Sequence, residues 1–273
     1  MHRRHTARLI SAATAALFIC VAAADERGDA IRKAFGPWQG CALIEQLDRY
    51  VMTRTEFGTE QCTLPLSPCS TFKIPNTLIG LQLDLLEGPE HTRPWDGVER
   101  WNPDWNRDHN LATAMSQSVV WYYQALAREI GDERMSTWLK RLDYGNADAS
   151  SGIDTFWLGG SLAIDARGQL AFLQQLTRGH LPVRPEHMVT VRNLLQQDSD
   201  LPGQLYGKTG SCLGDEDRGQ PDHGWYVGWL DHGTVTNRAT TWFVVNIRGE
   251  GGTGRKARPI ALELLNMMLN EHR

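Results

Sequence analysis

Residues 69–77, CSTFKIPNT, place Ser70 and Lys73 three positions apart at the start of an apolar segment. The apolar spacing predicts a largely buried helix from residue 70 to about residue 87, although Pro75 lacks the backbone N–H that a helix interior uses. Residues at positions i and i+3 lie on one face of a helix. The Ser70 hydroxyl and the Lys73 amine are therefore predicted to meet.

A serine beside a lysine is a candidate nucleophile and base. The Ser70 hydroxyl attacks a carbonyl carbon only when a neighbouring group accepts its proton. Lys73 can do so only if burial lowers the pKa of its amine or if the amine is chemically modified. The start of a helix adds free backbone N–H groups near the reacting oxygen. The spacing alone also fits a helix-capping serine and a surface lysine, so further motifs must decide.

Three further motifs follow in a fixed order. In Ser118-Val119-Val120 the serine could relay a proton to a leaving nitrogen while the valines keep the site dry. In Tyr144-Gly145-Asn146 the glycine permits a tight turn, and the tyrosine and asparagine are predicted to face a cleft. Lys208-Thr209-Gly210, on a predicted strand, offers a cation and a hydroxyl to a carboxylate. S-x-x-K, a central serine motif and K-T-G in this order are the signature of penicillin-recognising serine enzymes.

The coarse pattern of strands and helices predicts where these motifs lie. Strands are predicted at both ends of the chain and helices in its middle, from about residue 112 to 201. This arrangement implies a sheet lobe beside a helical lobe with a cleft between them. The predicted strands are residues 41–44, 50–54, 204–209, 224–230 and 240–247, and the flanking helices are residues 25–35 and 259–269.

The first 24 residues are typical of a secretory signal peptide. Arg3, Arg4 and Arg8 precede an apolar run that ends at Ala22-Ala23-Ala24, before Asp25. The run is short for a membrane-spanning helix, and Ile19 before Cys20 disfavours lipid attachment. We therefore expect no stable membrane anchor, secretion to the bacterial periplasm, and a single catalytic domain over residues 25–273.

The net charge of the chain disfavours some classes of binding partner. The formal net charge is −4, and removal of three arginines with the leader makes the remaining chain about −7. This balance disfavours a nucleic acid or an anionic membrane as the partner.

Cys41, Cys62, Cys69 and Cys212 would remain after cleavage, and four cysteines in an oxidising compartment allow three full disulfide pairings. A zinc site is disfavoured, because no C-x-x-C and no histidine pair at helical ligand spacing occurs.

The combined motifs resemble those of class D serine β-lactamases, the oxacillinases. Ser70 to Thr77, Ser118-Val119-Val120, Tyr144-Gly145-Asn146 and Lys208-Thr209-Gly210 match the family pattern, and the S-x-V and Y-G-N forms distinguish class D from class A. The similarity extends from about residue 36 to 265. It implies an α+β fold of two lobes, in which N- and C-terminal helices pack on an antiparallel sheet and an all-helical lobe is inserted.

The resemblance also implies a mechanism. Lys73 would be an N6-carboxylysine, a carbamate formed from carbon dioxide or bicarbonate, with Trp157 donating a hydrogen bond to it. No other cofactor and no metal is implied. The backbone N–H groups of Ser70 and Ser211 would form the oxyanion hole. The substrate carboxylate would meet Lys208, Thr209 and Gly210 together with an arginine, either Arg255 or Arg258, and Val120, Tyr144 and Asn146 would line the same pocket.

The implied substrates are penicillins and oxacillin-type antibiotics, with cephalosporins and carbapenems left open, and the implied outcome is β-lactam resistance. A monomer and a homodimer are both compatible with the sequence. Two other functions compete with hydrolysis: a β-lactam sensor or penicillin-binding transpeptidase that acylates without turnover, and an inactive binding module. The second is disfavoured because every motif residue is present, and the first because neither membrane helices nor extra domains are evident.

Cys69 and Cys212 depart from the usual class D pattern. If the helix and the strand flank one cleft, as the mechanism requires, the two thiols are neighbours. The same placement resembles the active-site disulfide of some class A carbapenemases. We therefore predict a Cys69–Cys212 bridge, with a short-range Cys62–Cys69 bridge as the alternative.

Residues 249–254, GEGGTG, match the G-x-G-x-x-G pattern between a predicted strand and helix. A dinucleotide fold needs a further strand and an acidic residue about twenty positions on, and the chain ends before that strand. A flexible turn is therefore the interpretation we adopt.

Overall fold

The computed structural model describes residues 28–48, 51–214, 222–234 and 237–271. The predicted signal peptide, residues 1–24, lies outside the described residues. The chain divides into two units, residues 1–37 and 38–273. In the first, residues 28–35 form helix α1, within the helix predicted at 25–35. Among the described residues no helix has the length and apolarity needed to cross a bilayer.

The second unit is built on an antiparallel sheet, accompanied by a separate short ribbon. The strands are β1 (Gln39–Asp48), β2 (Val51–Phe57), β3 (Thr92–Arg93), β4 (His109–Asn110), β5 (Gln196–Gln197), β6 (Gln204–Cys212), β7 (His223–Thr234) and β8 (Asn237–Arg248). Six of them form the sheet, in the order β2-β1-β8-β7-β6-β5. The ribbon joins β3 to β4. Each predicted strand is present and longer than predicted.

Helices fill the interval between β2 and β5 and close the chain after β8. Single turns of 3₁₀-helix cover Cys69–Phe72 and Pro103–Trp105. The α-helices are α2 (Thr59–Cys62), α3 (Lys73–Gln82), α4 (Leu111–Ser116), α5 (Val120–Ile130), α6 (Asp132–Arg141), α7 (Ala166–Arg178), α8 (Pro185–Leu194) and α9 (Gly254–Glu271).

Alternation along the central strands assigns the two faces of the sheet. Trp225, Val227 and Trp229 of β7 join one buried apolar cluster with the helical lobe. The residues between them face the other way: Tyr226 lies under the Arg258 guanidinium of α9. The sheet therefore separates the helical lobe from α9. The predicted α+β fold with an antiparallel sheet and an inserted helical lobe is confirmed.

The helix predicted from residue 70 to about 87 ends earlier, at Gln82. Asp84 adopts a left-handed conformation with φ of 56°. The Leu85 N–H donates to the Gly80 carbonyl over 2.9 Å and the Asp84 N–H to Leu81 over 3.1 Å. This is a Schellman motif, which satisfies the last carbonyls of a helix and stops it. The apolar spacing continues past the helix because Leu83 and Leu85 still pack on the core.

Two helices contain a proline. Pro75 lies in the first turn of α3, where its missing N–H has no helical acceptor, so it does not conflict with the helix. Pro259 lies inside α9, which begins five residues before the predicted start. Its ring removes one backbone hydrogen bond without ending the helix.

The glycines of residues 249–254 serve a turn and a close contact. Gly249 and Gly251 have φ of 130° and 68°, in a turn that follows β8 as predicted. A Cβ added to Gly254 would lie 2.6 Å from the carbonyl oxygens of Gly210 and Trp225. Real Cβ atoms do not approach backbone oxygens so closely, so only glycine lets the start of α9 approach β6 and β7. The G-x-G-x-x-G match therefore reflects a turn followed by close helix-to-strand contact.

Two disulfides occur among the described residues. Cys69 and Cys212 are joined, with 5.7 Å between their Cα atoms, and the predicted pair is therefore the one that the structure contains. Cys41 and Cys62 form the other bridge, with Cα atoms 5.0 Å apart. The alternative Cys62–Cys69 bridge is not formed.

Peptide mapping without reduction tests this pairing sharply. Trypsin leaves Cys62 and Cys69 in one peptide, residues 55–73, because no lysine or arginine separates them. We expect that peptide to be linked both to residues 34–49 and to residues 209–218, giving one species of three peptides. Recovery of peptide 55–73 alone, two mass units lighter than its reduced form, would instead indicate a Cys62–Cys69 bridge.

Candidate active site

The predicted nucleophile and base meet where a 3₁₀ turn runs into α3. Ser70 lies in the turn and is half-buried, while Lys73 begins α3 and is fully buried. Lys73 Nζ lies 2.8 Å from Ser70 Oγ. Burial, and secondarily the positive charge of Lys208, hold the pKa of Lys73 well below its usual value. A neutral amine beside a hydroxyl can accept its proton, so the pair satisfies the geometric requirement of a nucleophile and base.

A second serine and lysine pair lies opposite. The Lys208 amine of β6 donates to Ser118 Oγ over 3.0 Å and to the Thr209 carbonyl over 3.1 Å. Burial lowers the pKa of Lys208 to about 7. Ser118 connects α4 to α5 with φ of 58°, an uncommon conformation for a residue with a side chain. Over the part of the chain that the structure describes, no carboxylate pairs with Lys73 or Lys208.

Close backbone contact joins β6 to the 3₁₀ turn Cys69–Phe72, which carries Ser70 and is called the nucleophile turn below. A Cβ on Gly210 would lie 2.8 Å from the Pro68 carbonyl oxygen and 3.2 Å from the Thr71 nitrogen. Only a glycine allows this approach. Ser211 follows it directly and is exposed, with its Oγ accepting from the Gly254 N–H over 2.9 Å. The two segments that carry the Ser70 and Ser211 N–H groups are therefore in direct contact.

Trp157 has an unpartnered polar atom. Its side chain is fully buried and stacks on Phe72, the neighbour of Lys73, with ring centroids 5.3 Å apart. Its indole Nε1 has no hydrogen-bond acceptor among the described residues. A buried donor without a partner costs free energy, so a missing acceptor is expected at such a position.

Ser67 connects three segments of the site and was not predicted from the sequence. Its hydroxyl donates to the Trp157 carbonyl over 2.8 Å and accepts from the Gly159 N–H over 2.9 Å. Its carbonyl accepts from Trp225 Nε1 over 3.0 Å and lies 2.9 Å from His223 Nε2. Ser67 thus joins the nucleophile turn to β7 and to the loop that contains Trp157. No sequence motif marks Ser67.

The structure corrects the expected placement of Tyr144 and gives the loop contacts of Asn146. Tyr144 is fully buried beside Phe72, so it cannot face a cleft. The Asn146 amide donates to the Ser161 carbonyl over 2.8 Å and accepts from the Ala163 N–H over 3.0 Å. These contacts fold the loop that precedes α7. These two residues therefore pack and close this loop. The prediction that Tyr144 faces the substrate pocket is wrong, whereas Asn146 is exposed and its contact with substrate stays a prediction.

Gln169 of α7 is a further residue that sequence reasoning missed. Its side chain is buried and its Nε2 donates to Thr71 Oγ over 2.9 Å. Thr71 in turn donates to the Pro68 carbonyl over 2.7 Å. The Tyr144 hydroxyl donates to Gln169 Oε1 over 3.4 Å. This chain of bonds supports the nucleophile turn from behind.

The remaining predicted residues divide between the site and its surroundings. Val120 begins α5, two residues after Ser118, and is half-buried. Arg255 is exposed and follows Gly254, the residue in contact with Gly210. Arg258 instead lies over the Tyr226 ring, on the face of the sheet away from the helical lobe. The backbone position thus favours Arg255 over Arg258 as a residue near Lys208-Thr209-Gly210.

The chain is similar to known proteins along most of its length. A family model described as the penicillin binding protein transpeptidase domain matches residues 25–266. The probable β-lactamase YbxI of Bacillus subtilis is 43% identical over 201 residues, which cover 73% of this chain and 70% of that protein. The β-lactamase OXA-2 of Salmonella typhimurium is 37% identical over 81% of this chain and 77% of its own.

Solved structures agree with this similarity. The class D β-lactamase BAT-2 superposes with a TM-score of 0.78 at 36% identity, covering 87% of this chain and 94% of its own. A class D β-lactamase from Bacillus subtilis gives a TM-score of 0.77 at 38% identity, with the same coverage. With the serine and lysine pairs in place at the junction of sheet and helical lobe, the chain belongs to the class D serine β-lactamases and is a β-lactam hydrolase.

Proposed function

We propose that this enzyme opens β-lactam rings through an acyl-enzyme on Ser70, with Lys73 acting as general base in its carbamylated form, N6-carboxylysine. One observation carries the proposal. Among the described residues, the buried amines of Lys73, beside Ser70, and Lys208, beside Ser118, have no carboxylate partner. The buried indole N–H of Trp157, whose ring stacks on Phe72, has no acceptor there either. Such a site favours two anions, one on Lys73 and one on the substrate.

The residues present fit a carbamate at Lys73. Only a neutral amine adds to carbon dioxide, forming a carbamate and releasing one proton. The lowered pKa of Lys73 favours that neutral form. Trp157 Nε1 would donate to the carbamate and so gain the acceptor that it lacks. When present, the carbamate supplies an anionic base beside Ser70, for acylation and for activation of the hydrolytic water.

The residues of the chain would carry the bond changes of acylation as follows. Ser70 Oγ would attack the lactam carbonyl carbon and give its proton to the base at Lys73, whose Nζ lies 2.8 Å away. The N–H groups of Ser70 and Ser211 stabilise the negative oxygen that forms. As the carbon–nitrogen bond breaks, Ser118 gives its hydroxyl proton to the nitrogen and takes one from Lys208, 3.0 Å away. A water then attacks the ester and releases the opened product.

Recognition of the substrate carboxylate falls to Lys208, Thr209 and Arg255. Gly210 lets the turn that carries Ser70 lie directly against the strand that carries Lys208 and Thr209. Val120, half-buried at the start of α5, would contribute an apolar wall. The proposed substrates are accordingly β-lactams that carry a carboxylate near the ring nitrogen, as penicillins and oxacillin-type antibiotics do. The exposed Asn146 stays a candidate for contact with substrate, and the buried Tyr144 is assigned none.

We propose further that the enzyme is exported and confers β-lactam resistance from the periplasm. Residues 1–24 have the pattern of a cleavable leader, and the two disulfides suit an oxidising compartment.

Removal of the Trp157 donor should make the enzyme depend on added bicarbonate. Trp157→Phe keeps the aromatic packing but loses the N–H, and a hydrogen bond to a charged group contributes about 1.5–3 kcal/mol. We expect half-maximal activity to need roughly 10- to 100-fold more bicarbonate than the parent enzyme requires. Turnover of a chromogenic cephalosporin against bicarbonate concentration measures this, and carbon-13 spectra of labelled enzyme report the carbamate itself.

Trp121→Phe is the matched control, because its indole donates to the Trp105 carbonyl rather than lacking an acceptor. It should leave the bicarbonate requirement unchanged. An identical requirement in Trp157→Phe and in the parent, with no carbamate resonance in either, would refute the assignment.

Arg255→Ala should raise KM for a carboxylate-bearing β-lactam by roughly tenfold or more, because it removes one charge-assisted contact. Arg258→Ala should leave KM within about twofold of the parent. Steady-state kinetics on both variants decide between the two arginines. The reverse ranking would assign the contact to Arg258.

The lowered pKa of Lys208 predicts an alkaline loss of activity. Below a pKa of about 7 the amine is charged and attracts the substrate carboxylate, and above it the amine is neutral. In enzyme depleted of bicarbonate, kcat/KM should therefore fall as pH rises through about 7. A carbamate anion on Lys73 would raise the pKa of Lys208, so bicarbonate should move this limb to higher pH.

Lys208→Arg keeps its charge throughout this range and should lack the alkaline limb, whatever its overall activity. A limb at the same pH in Lys208→Arg and in the parent enzyme would assign the titration to another group.

A further inference from the structure

Three groups that bind metals in other proteins meet behind the nucleophile turn. The sulfur atoms of Cys69 and Cys212 and a ring nitrogen of His223 all lie within 4.8 Å of one another. Cys69 Sγ is 3.8 Å from His223 Nε2. All three side chains are buried, with exposed fractions of 0%, 6% and 4%. Sulfur and imidazole nitrogen are the ligands that Zn²⁺ and Cd²⁺ prefer.

The backbone holds these groups in place independently of the disulfide. Cys212 of β6 and His223 of β7 are directly paired across the sheet. Cys69 is held by the hydrogen bond from its N–H to the Trp157 carbonyl, over 2.9 Å. Its turn also contacts β6 at Gly210. The three ligand groups would therefore remain close together if the sulfur–sulfur bond were broken.

A carbonyl oxygen lies against all three groups. Ser67 O is 3.4 Å from Cys69 Sγ, 3.9 Å from Cys212 Sγ and 2.9 Å from His223 Nε2. Small movements would let this oxygen act as a fourth ligand in a tetrahedral arrangement. In the disulfide form the contact with the Ser67 carbonyl places the ring proton of His223 on Nε2, because a carbonyl oxygen only accepts. Metal binding would replace this hydrogen bond, with the ring proton on Nδ1 and the Nε2 lone pair on the metal.

We propose that the reduced protein contains a buried site for a zinc-like divalent cation, held by Cys69, Cys212 and His223. A phosphine reductant and one water convert the disulfide into two thiols and yield a phosphine oxide. The cation then displaces both thiol protons. Two thiolates neutralise the 2+ charge, so the complex with neutral His223 carries no net charge, as a buried site requires.

The site is gated by redox state. In the disulfide form neither sulfur has a thiolate to offer, so the oxidised protein should not bind the cation there. Conversely, a bound cation occupies both sulfurs and should slow re-formation of the disulfide. The region that precedes Ser70 thus has two mutually exclusive cross-links, one covalent and one through a metal.

Titration with Co²⁺, a coloured substitute for Zn²⁺, tests the proposal. The full chain is reduced with a phosphine, and the phosphine is then removed under anaerobic conditions. The reduced protein is titrated with Co²⁺ while the thiolate-to-cobalt charge-transfer absorption is recorded. We expect one equivalent to bind to the reduced protein and none to the oxidised protein. His223→Gln should weaken binding roughly tenfold or more, and Cys69→Ser/Cys212→Ser should abolish it.

Two controls separate this site from other ligands. Cys69→Ser/Cys212→Ser retains Cys41 and Cys62, so equal binding in that variant would place the cation elsewhere and overturn the proposal. His187→Gln removes a buried histidine of α8 outside the cluster and should not change the affinity. Absence of binding to the folded reduced protein would also overturn it.

Near-UV circular dichroism covers the case in which reduction unfolds the chain. One equivalent of Zn²⁺ should then restore the native signal in the parent chain but not in His223→Gln. Failure of Zn²⁺ to restore it, or equal recovery in both chains, would contradict the site.

Discussion

The burial of Lys73 against Ser70 is the interaction on which the rest of the active site depends. A lysine that is charged in water binds its proton weakly when it is surrounded by protein, and the neighbouring Lys208 weakens that binding further. The same burial that destabilises the ammonium thus favours the neutral amine, which is the form that can accept a proton. It also requires that no carboxylate stabilise the charge. Phe72, Trp157 and Val119 supply the dry surroundings, all of them fully buried.

Ser70 and Lys73 must be held in a fixed geometry to react. Backbone groups make most of the contacts that hold them. The nucleophile turn contacts β6 at Gly210, and the Ser67 carbonyl and hydroxyl join the turn to β7 and to the Trp157 loop. Cys69 and Ser118, which flank the chemistry, both have positive φ values, of 48° and 58°. Such conformations persist only where surrounding contacts enforce them, so rigidity around the site is part of its construction.

The sequence predicted the meeting of Ser70 and Lys73 better than the contacts that support this pair. Ser70 and Lys73 are related by helical spacing, and the order of the motifs indicated the family. The sequence did not predict Ser67, Gln169 and His223, because their contacts join residues far apart in the chain. Ser67 and Trp157 are separated by 90 positions, and Thr71 and Gln169 by 98. Composition and periodicity carry no information about such pairs. The position at which α3 ends was not predicted for a local reason. The left-handed Asp84 interrupts the helix while the apolar spacing continues.

The burial of Tyr144 has a consequence for how such chains are classified. Tyr144-Gly145-Asn146 is diagnostic of the class, yet its side chains fold a loop and fill space behind the nucleophile. Its presence therefore reports that the scaffold is intact rather than that the chain is reactive. A descendant that lost Lys73 would have no reason to lose this motif, and it would still be recognised as a relative. Genomic surveys that count resistance genes by this signature would then include proteins that hydrolyse nothing.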